Sequence, residues 1–265
     1  MKHVFQKLTV IAATVTVFAN CSKDNKSNPV AIPAPVINKV VFSAAGDSAA
    51  IVTKLNEFRL SAGDPLNSAP GATTGRREVN WDAVPASFTN NNNFPLDFFG
   101  SSDPALSNAR KRGLILNGNT TFRVDTTDFS EIDPSYAAQF EAFSRKRLFT
   151  YVGNNVTQIT FKVPGTQTDA FVKGFAVIFS DVDVADLTTV EYFNGDKSLG
   201  IFKATVAPQG FSFVGVGFPD EKVTRVKITS GNGLLAAGVK DVSNGGTKDL
   251  VVMDDFLYSE PQQMQ

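Results

Sequence analysis

Two pairs of aspartates are the residues whose type and spacing suggest chemistry in this 265-residue sequence. Asp181 and Asp183 stand one residue apart in FSDVD, and Asp254 and Asp255 are adjacent in VVMDDFLY. Alternate residues of an extended chain point to the same side, so Asp181 and Asp183 can converge on a hard cation such as calcium. Adjacent residues point to opposite sides, so one of Asp254 and Asp255 is expected to face the interior or a sheet edge.

A carboxylate inside a protein needs a partner, because burial of an unpaired charge is costly. Three surroundings stay open for Asp254 and Asp255: a bound calcium ion, an arginine or several backbone N–H donors, or solvent at a strand end. We predict that one of them lies close enough to Asp181 or Asp183 to share a metal ion. Both segments place carboxylates where an apolar run stops, and closure of a sandwich brings distant strand ends together.

Three other side chains are candidates for ligand binding. Trp81, the single tryptophan, can stack on a sugar ring, although a lone Trp in a chain with 23 Phe is more often a core residue. Arg76 and Arg77 can bind a sulfate or a carboxylate, or they can be the solvated entry to a strand. The sequence leaves these alternatives open.

The sequence offers little for nucleophilic catalysis, because its one histidine and one cysteine are His3 and Cys21. Lys2, His3 and Lys7 form a basic region before an apolar run over residues 8–19, which is too short to span a bilayer and typical of a signal segment. Removal of residues 1–20 leaves no histidine, which excludes Ser-His-Asp triads, Cys-His dyads and imidazole zinc sites. We therefore assign no catalytic residue.

A glycosidase with two carboxylates is the alternative that these residue types allow, since it needs only Asp or Glu. Glu78 or Asp82 would act with Asp181 or Asp183 across a groove, at a separation of about 5–10 Å. Nucleic acid is not an expected partner, because a net charge of −1 provides no basic surface for a phosphate backbone.

Hydrophobic periodicity predicts one helix followed by many strands. Residues 49–60 carry apolar side chains at helical spacing, with Asp47 or Ser48 available as the N-cap. From Glu78 onward, short runs rich in Val, Phe, Ile and Thr alternate with turns of Gly, Asn, Asp and Pro. The predicted fold class is all-β, an antiparallel β-sandwich of jelly-roll type with one short N-terminal helix.

Individual strands differ in how they should be buried. Ile159 and Phe161 alternate with Thr160 and Lys162, which indicates one buried and one wet face. Residues 171–179 are apolar on both faces and are expected at the centre of a sheet. The closing VVMDDFLY strand is expected near the end of the sheet order.

The residues FANC at positions 18–21 resemble the lipobox of bacterial lipoproteins, in which the cysteine thiol is acylated and becomes the new N-terminus. The resemblance implies lipidation at Cys21 and contact with the membrane through that lipid. The polar and proline-containing residues that follow are similar to the tether of such lipoproteins. The expected location is the outer membrane or the cell surface, with a lipid anchor.

Two further stretches carry a family resemblance. GRREVNWDAVP, residues 75–85, resembles the opening signature of an uncharacterised family of exported bacterial proteins. The segments FSDVD, GFSFVGVGF and MDDFLY are similar to jelly-roll domains of exported proteins of the PEP-CTERM type. The resemblance covers roughly residues 46–260 and implies a calcium-compatible jelly roll, with no established activity to transfer.

These observations divide the chain into a signal peptide over residues 1–20, a flexible tether over 21–40, a helical extension over 41–74 and a sandwich over 75–265. The leading functional expectation is a non-enzymatic envelope lipoprotein that binds a glycan or another envelope partner, because sandwich faces and loops suit extended ligands. The carbohydrate-active enzyme is the alternative.

Overall fold

The computed structural model describes residues 36–118 and 121–264, which belong to a compact unit, Ile37–Gln265, apart from residue 36. The predicted signal segment, the lipidation site Cys21 and most of the tether lie outside the described residues. In chain order, the strands are β1 Val40–Gly46, β2 Arg76–Val79, β3 Leu114–Asn117, β4 Thr121–Asp125, β5 Leu148–Val152, β6 Val156–Lys162, β7 Asp169–Phe171, β8 Gly174–Val182, β9 Thr189–Asn194, β10 Lys197–Lys203, β11 Ala207–Gly217, β12 Arg225–Thr229, β13 Val252–Ser259 and β14 Gln262–Gln263, and the α-helix α1 is Ser48–Ala62.

Within the described ranges, the strands form two seven-stranded sheets. Sheet I has the order β1-β11-β8-β13-β5-β4, with β2 paired to β13. Sheet II has the order β10-β9-β12-β6-β7-β14, with β3 paired to β6. The strands pair antiparallel, and the non-consecutive neighbours show that connections cross between the sheets. The predicted all-β antiparallel sandwich with one short helix is confirmed.

The alternation of apolar and polar residues in the sequence predicts which side of sheet II is exposed to solvent. In β6, Ile159 and Phe161 are buried, whereas Thr160 and Lys162 are partly exposed, as predicted. The inward side chains of sheet II meet those of sheet I in one continuous apolar core, which also contains Trp81.

Helix α1 covers the outer face of sheet I. Asp47 caps it, since its carboxylate accepts a hydrogen bond of 2.8 Å from the backbone N–H of Ala50. Its fully buried Phe58 lies against β11 at Gly215, where an added Cβ would stand 2.8 Å from the Phe58 ring. Glycine at this position therefore lets the helix approach the sheet closely.

Strand β8 is buried along its whole length because it has a core on each side, as the apolar run predicted for residues 174–179. The start of the predicted run is corrected, since Phe171 ends β7 in sheet II. Phe175, Val177 and Phe179 belong to the core between the sheets, and Ala176 and Ile178 belong to the core beneath α1.

Two expectations are corrected by the topology. Strand β13 lies between β8 and β5, not near the end of the sheet order, because a crossover connection inserts this late strand between earlier ones. Residues 40–46 pair with β11 along seven positions, so β1 is part of sheet I and does not belong to an extension outside the sandwich. Among the described residues, no helix has the length and apolarity that a membrane crossing requires.

Candidate metal centre

The end of β8 brings three carboxylates together. Asp181 has a φ of 67°, and the register between β8 and β11 shifts at this point, so the strand bends where its apolar run stops. Asp181, Asp183 and Asp241 each offer an oxygen, and these oxygens all lie within 4.8 Å of one another. Two ligands of one calcium ion are separated by at most about 5 Å, since each lies about 2.3–2.6 Å from the ion. This cluster can therefore hold a metal ion.

A fourth carboxylate, Asp249, borders the cluster. Its Oδ1 accepts a hydrogen bond of 3.0 Å from the backbone N–H of Asp183. Asp241 is held by its own loop, because it accepts hydrogen bonds from the backbone N–H groups of Ser243 and Leu250 at 2.9 Å and 2.6 Å. These contacts fix the positions of the carboxylates before any ion binds.

Several buried polar atoms at the cluster have no hydrogen-bond partner among the described residues. They include Asp181 Oδ2, Asp249 Oδ2 and both oxygens of Asp183. The side-chain amide of Gln139, which is only 5% exposed, lies beside Asp181 and interacts with its carboxylate, but it makes no hydrogen bond of normal geometry among the described residues. A cavity of about 120 Å³ adjoins these residues and is lined in part by Gln139, Gln209 and Ser243. Orphaned oxygens beside a cavity are the arrangement that a cation or water would satisfy.

The negative charges of the clustered carboxylates repel one another, and burial adds to the cost of ionisation. Burial raises the pKa of Asp181 to about 6. Burial, followed by the proximity of Asp241 and Asp181, raises the pKa of Asp183 to about 7. Burial also raises the pKa of Asp249, whereas hydrogen bonds outweigh burial at Asp241 and lower its pKa. A divalent cation would relieve this repulsion.

Asp254 and Asp255 are not members of this cluster. Asp254 Oδ2 accepts hydrogen bonds from the backbone N–H groups of Phe143 and Ser144 at 2.6 Å and 3.1 Å. The Ser144 hydroxyl lies 2.6 Å from Asp255 Oδ1 and 3.1 Å from Asp254 Oδ1. The pair thus has the second of the three predicted surroundings, backbone donors, and its surroundings give no support to a role in metal binding.

A bulge explains how two adjacent residues reach one partner. The register of β13 against β8 shifts between Met253 and Phe256, so Asp254 and Asp255 fall where the strict alternation of sides is interrupted. Both side chains are buried. Burial, and then the charge of Asp255, raise the pKa of Asp254 well above its ordinary value. Burial also raises the pKa of Asp255, so the pair retains a proton where isolated aspartates are ionised.

Trp81 is a core residue, which is one of its two predicted roles. Its side chain is 1% exposed and stacks on Phe149 with ring centroids 4.0 Å apart. Its indole N–H donates a hydrogen bond of 2.8 Å to the backbone oxygen of Asp254. The expectation of sugar stacking is corrected, because neither face of this ring is open to a ligand.

Arg76 and Arg77 are occupied by carboxylates of the chain itself. Arg77 is fully buried and forms two hydrogen bonds of 2.8 Å with Glu260. Arg76 pairs with Glu78 at 2.9 Å and with Asp64. The expectation that these arginines bind a ligand is corrected, because their charges are already paired with carboxylates inside the fold.

The residues of the enzymatic alternative are engaged in other ways. Although burial opposes its ionisation, hydrogen bonds from Arg59 and Arg76 hold the pKa of Glu78 below its ordinary value. A glycosidase acid needs the opposite shift. Asp82 lies beside a cavity of about 480 Å³ that is otherwise lined by the basic residues 145–147.

Sequence reasoning missed Asp241 and Asp249 as members of the acidic site. Asp249 directly precedes the apolar residues LVV, so it stands at the start of the run whose end singled out Asp254 and Asp255. Asp241 begins the turn DVSN and has the appearance of an ordinary turn cap, a role that it also performs. No protein-family model, curated protein or solved structure matches the chain.

Proposed function

We propose that this chain is a non-enzymatic, lipid-anchored β-sandwich of the cell envelope that binds an envelope glycan and carries a calcium ion at the cluster of Asp181, Asp183 and Asp241. The observation that carries the proposal is the cluster itself, with its orphaned buried oxygens. An acidic site that completes the fold suits a binding module exposed to calcium outside the cell.

Calcium is the cation that fits the donor set best. The donors that lie within 4.8 Å of one another are three carboxylate oxygens, and the side chains of Asp249 and Gln139 border them. Calcium accepts six to eight oxygen ligands in flexible geometry, whereas magnesium demands near-ideal octahedral geometry at a shorter distance of about 2.0–2.1 Å. The ion would join the loop after β8 to the loop that carries Asp241, and thus link segments far apart in the chain.

Thermal melting of the full chain in detergent, with chelator and with calcium, tests this assignment. At free calcium about one hundred times its dissociation constant, we expect the folded state to gain about 2.7 kcal/mol, because the ion binds the folded chain and not the unfolded one. Asp183→Asn should abolish most of this gain. Asp196→Asn, in an exposed turn, is the matched control and should keep it. A midpoint that calcium leaves unchanged would contradict the assignment, and an equal response to magnesium would contradict the choice of cation.

The lipid anchor is the second part of the proposal, and it rests on the lipobox resemblance around Cys21. Once residues 1–20 are removed, the lipid on the Cys21 thiol would hold the sandwich at the membrane through residues 21–40. We expect the native chain to partition into the detergent phase and Cys21→Ser to stay in the aqueous phase. A Cys21→Ser chain that is processed at the same place and still partitions with detergent would contradict the anchor.

A further inference from the structure

Two adjoining cavities follow the wet face of sheet II and its C-terminal strand. One has a volume of about 660 Å³ and the other of about 700 Å³, and Met264 lines both. Cavities of about 300–1,000 Å³ are typical of ligand sites in proteins. Since helix α1 occupies the outer face of sheet I, this groove lies on the broad face that the helix leaves open.

The groove is lined by side chains that bind hydroxyl groups. In the cavity of 660 Å³, Asn117 offers its amide oxygen and Asp196 a carboxylate, and Thr160 offers a hydroxyl that accepts a hydrogen bond of 2.8 Å from the Asn117 amide. In the cavity of 700 Å³, Gln262 and Gln263 offer amides. The amides can donate hydrogen bonds to sugar hydroxyls and accept hydrogen bonds from them, and the carboxylate can accept hydrogen bonds from them.

Two cations of the groove have no carboxylate partner among the described residues. The Arg225 guanidinium stacks on Phe193, with its central carbon 3.6 Å from the ring centroid, and makes one hydrogen bond of 3.3 Å, to Gln158. The stack orients the guanidinium and leaves most of its N–H donors free. In the neighbouring cavity, the Lys222 ammonium lies 5.0 Å from the Phe171 centroid and forms no ion pair with a described residue.

Lys162, the other basic side chain of the smaller cavity, does have a carboxylate partner. It is paired with Asp169 at 2.7 Å, so its charge is already compensated. The uncompensated positive charges of the groove are therefore Arg225 and Lys222, one in each cavity. A ligand that carries negative charge at intervals along its length would meet both.

We infer that this groove binds an acidic oligosaccharide, with uronate carboxylates held by Arg225 and Lys222 and sugar hydroxyls held by Asn117, Asp196 and Gln262. A planar carboxylate matches the fork of the guanidinium, and the hydroxyls of the same sugar match the amides around it. The inference rests on the proposed role as a glycan-binding module and names the class of glycan. It replaces Trp81, Arg76 and Arg77 as the ligand site.

Calorimetric titration of the full chain in detergent with tetragalacturonate, in the presence of chelator, tests the inference. We expect binding that weakens as the salt concentration rises, because the contacts are between charges at the surface. Arg225→Gln should weaken it about tenfold or more, and Lys222→Gln should weaken it as well. Lys203→Gln is the matched control, since this exposed lysine of β10 pairs with Asp186 away from the groove. Its affinity should equal that of the native chain.

Other results of the titration would overturn either the location of the site or the class of ligand. Absence of binding to the native chain, or equal binding by native chain and Arg225→Gln, would overturn the groove as the site. Equal affinity for the uncharged cellotetraose would overturn the acidic class of ligand. Melting curves of Arg225→Gln and Lys222→Gln that match the native curve show that the loss comes from the groove and not from unfolding. The calcium response of the native chain is measured separately, so failure here and failure of the proposed calcium site are distinguishable.

Discussion

We expect Arg77→Met to lower the free energy of unfolding by about 3–5 kcal/mol, because it leaves the Glu260 carboxylate buried without its charge partner. Arg77 and Glu260 have side-chain exposures of 0% and 1%, and two hydrogen bonds of 2.8 Å join them. Asn67, at 2.9 Å, would be the remaining donor to that carboxylate in the described part of the chain. Urea unfolding of the native and variant chains measures the difference.

The double variant Arg77→Met, Glu260→Met separates the ion pair from simple loss of packing. Removal of both charges leaves no carboxylate to desolvate, so the double variant should be more stable than Arg77→Met alone. Lys54→Met is the exposed control: its pair with Glu57 is 45% and 44% exposed, and exposed pairs contribute about 0–1 kcal/mol. A double variant as unstable as the sum of its two single variants would show that the charges do not stabilise one another.

The second large effect is expected at Asp254. Asp254→Ala removes the acceptor of two backbone N–H groups, those of Phe143 and Ser144, and each orphaned donor costs about 1–3 kcal/mol. Asp254→Asn keeps one oxygen for these donors and imitates the protonated carboxyl, so it should be much less destabilising. Urea unfolding of the two variants beside the native chain makes the comparison.

The same pair gives a pH dependence with a defined sign. The pKa of Asp254 in the folded chain lies well above its ordinary value, so the folded state holds a proton that the unfolded state releases. Its contribution to stability is therefore complete below the ordinary aspartate pKa and is lost as the pH rises towards the folded pKa. Nearby charges on Glu78 and Arg59 act on Asp255 in opposite directions.

Asp254→Asn should remove this part of the pH dependence, because an amide does not titrate. We expect the native chain to lose stability relative to Asp254→Asn over the pH range above the ordinary aspartate pKa of 3.8, with chelator present in both samples. Asp196→Asn is again the control and should follow the native curve. A constant difference between native chain and Asp254→Asn across that range would mean that both carboxyls of the pair are ionised throughout.

Local patterns predicted those features that depend on neighbouring residues. The alternation in β6 identified its buried side, Asp47 capped α1, and the run over residues 171–179 indicated a strand with cores on both sides. Each of these follows from chain periodicity, which the sequence displays directly. The placement of Asp181 and Asp183 at the end of an apolar run was likewise visible.

Partners at long sequence separation were not predictable in the same way. Glu260 is 183 residues from Arg77, and nothing in GRREVNWDAVP indicates which carboxylate will neutralise it. Asp241 joins Asp181 only because its loop packs against the end of β8. The bulge in β13 broke the rule of alternation on which the interpretation of Asp254 and Asp255 rested.

Strand β8 couples the unfolding of helix α1 to the unfolding of the sandwich. Its odd-numbered residues 175–179 pack between the sheets and its even-numbered residues 176 and 178 pack beneath α1, so the two cores share one backbone. Detachment of the helix would expose one side of a strand whose other side still holds the sandwich together. Because neither core can melt while β8 keeps the other intact, helix and sandwich should unfold in a single transition, with no intermediate in which the sandwich survives alone.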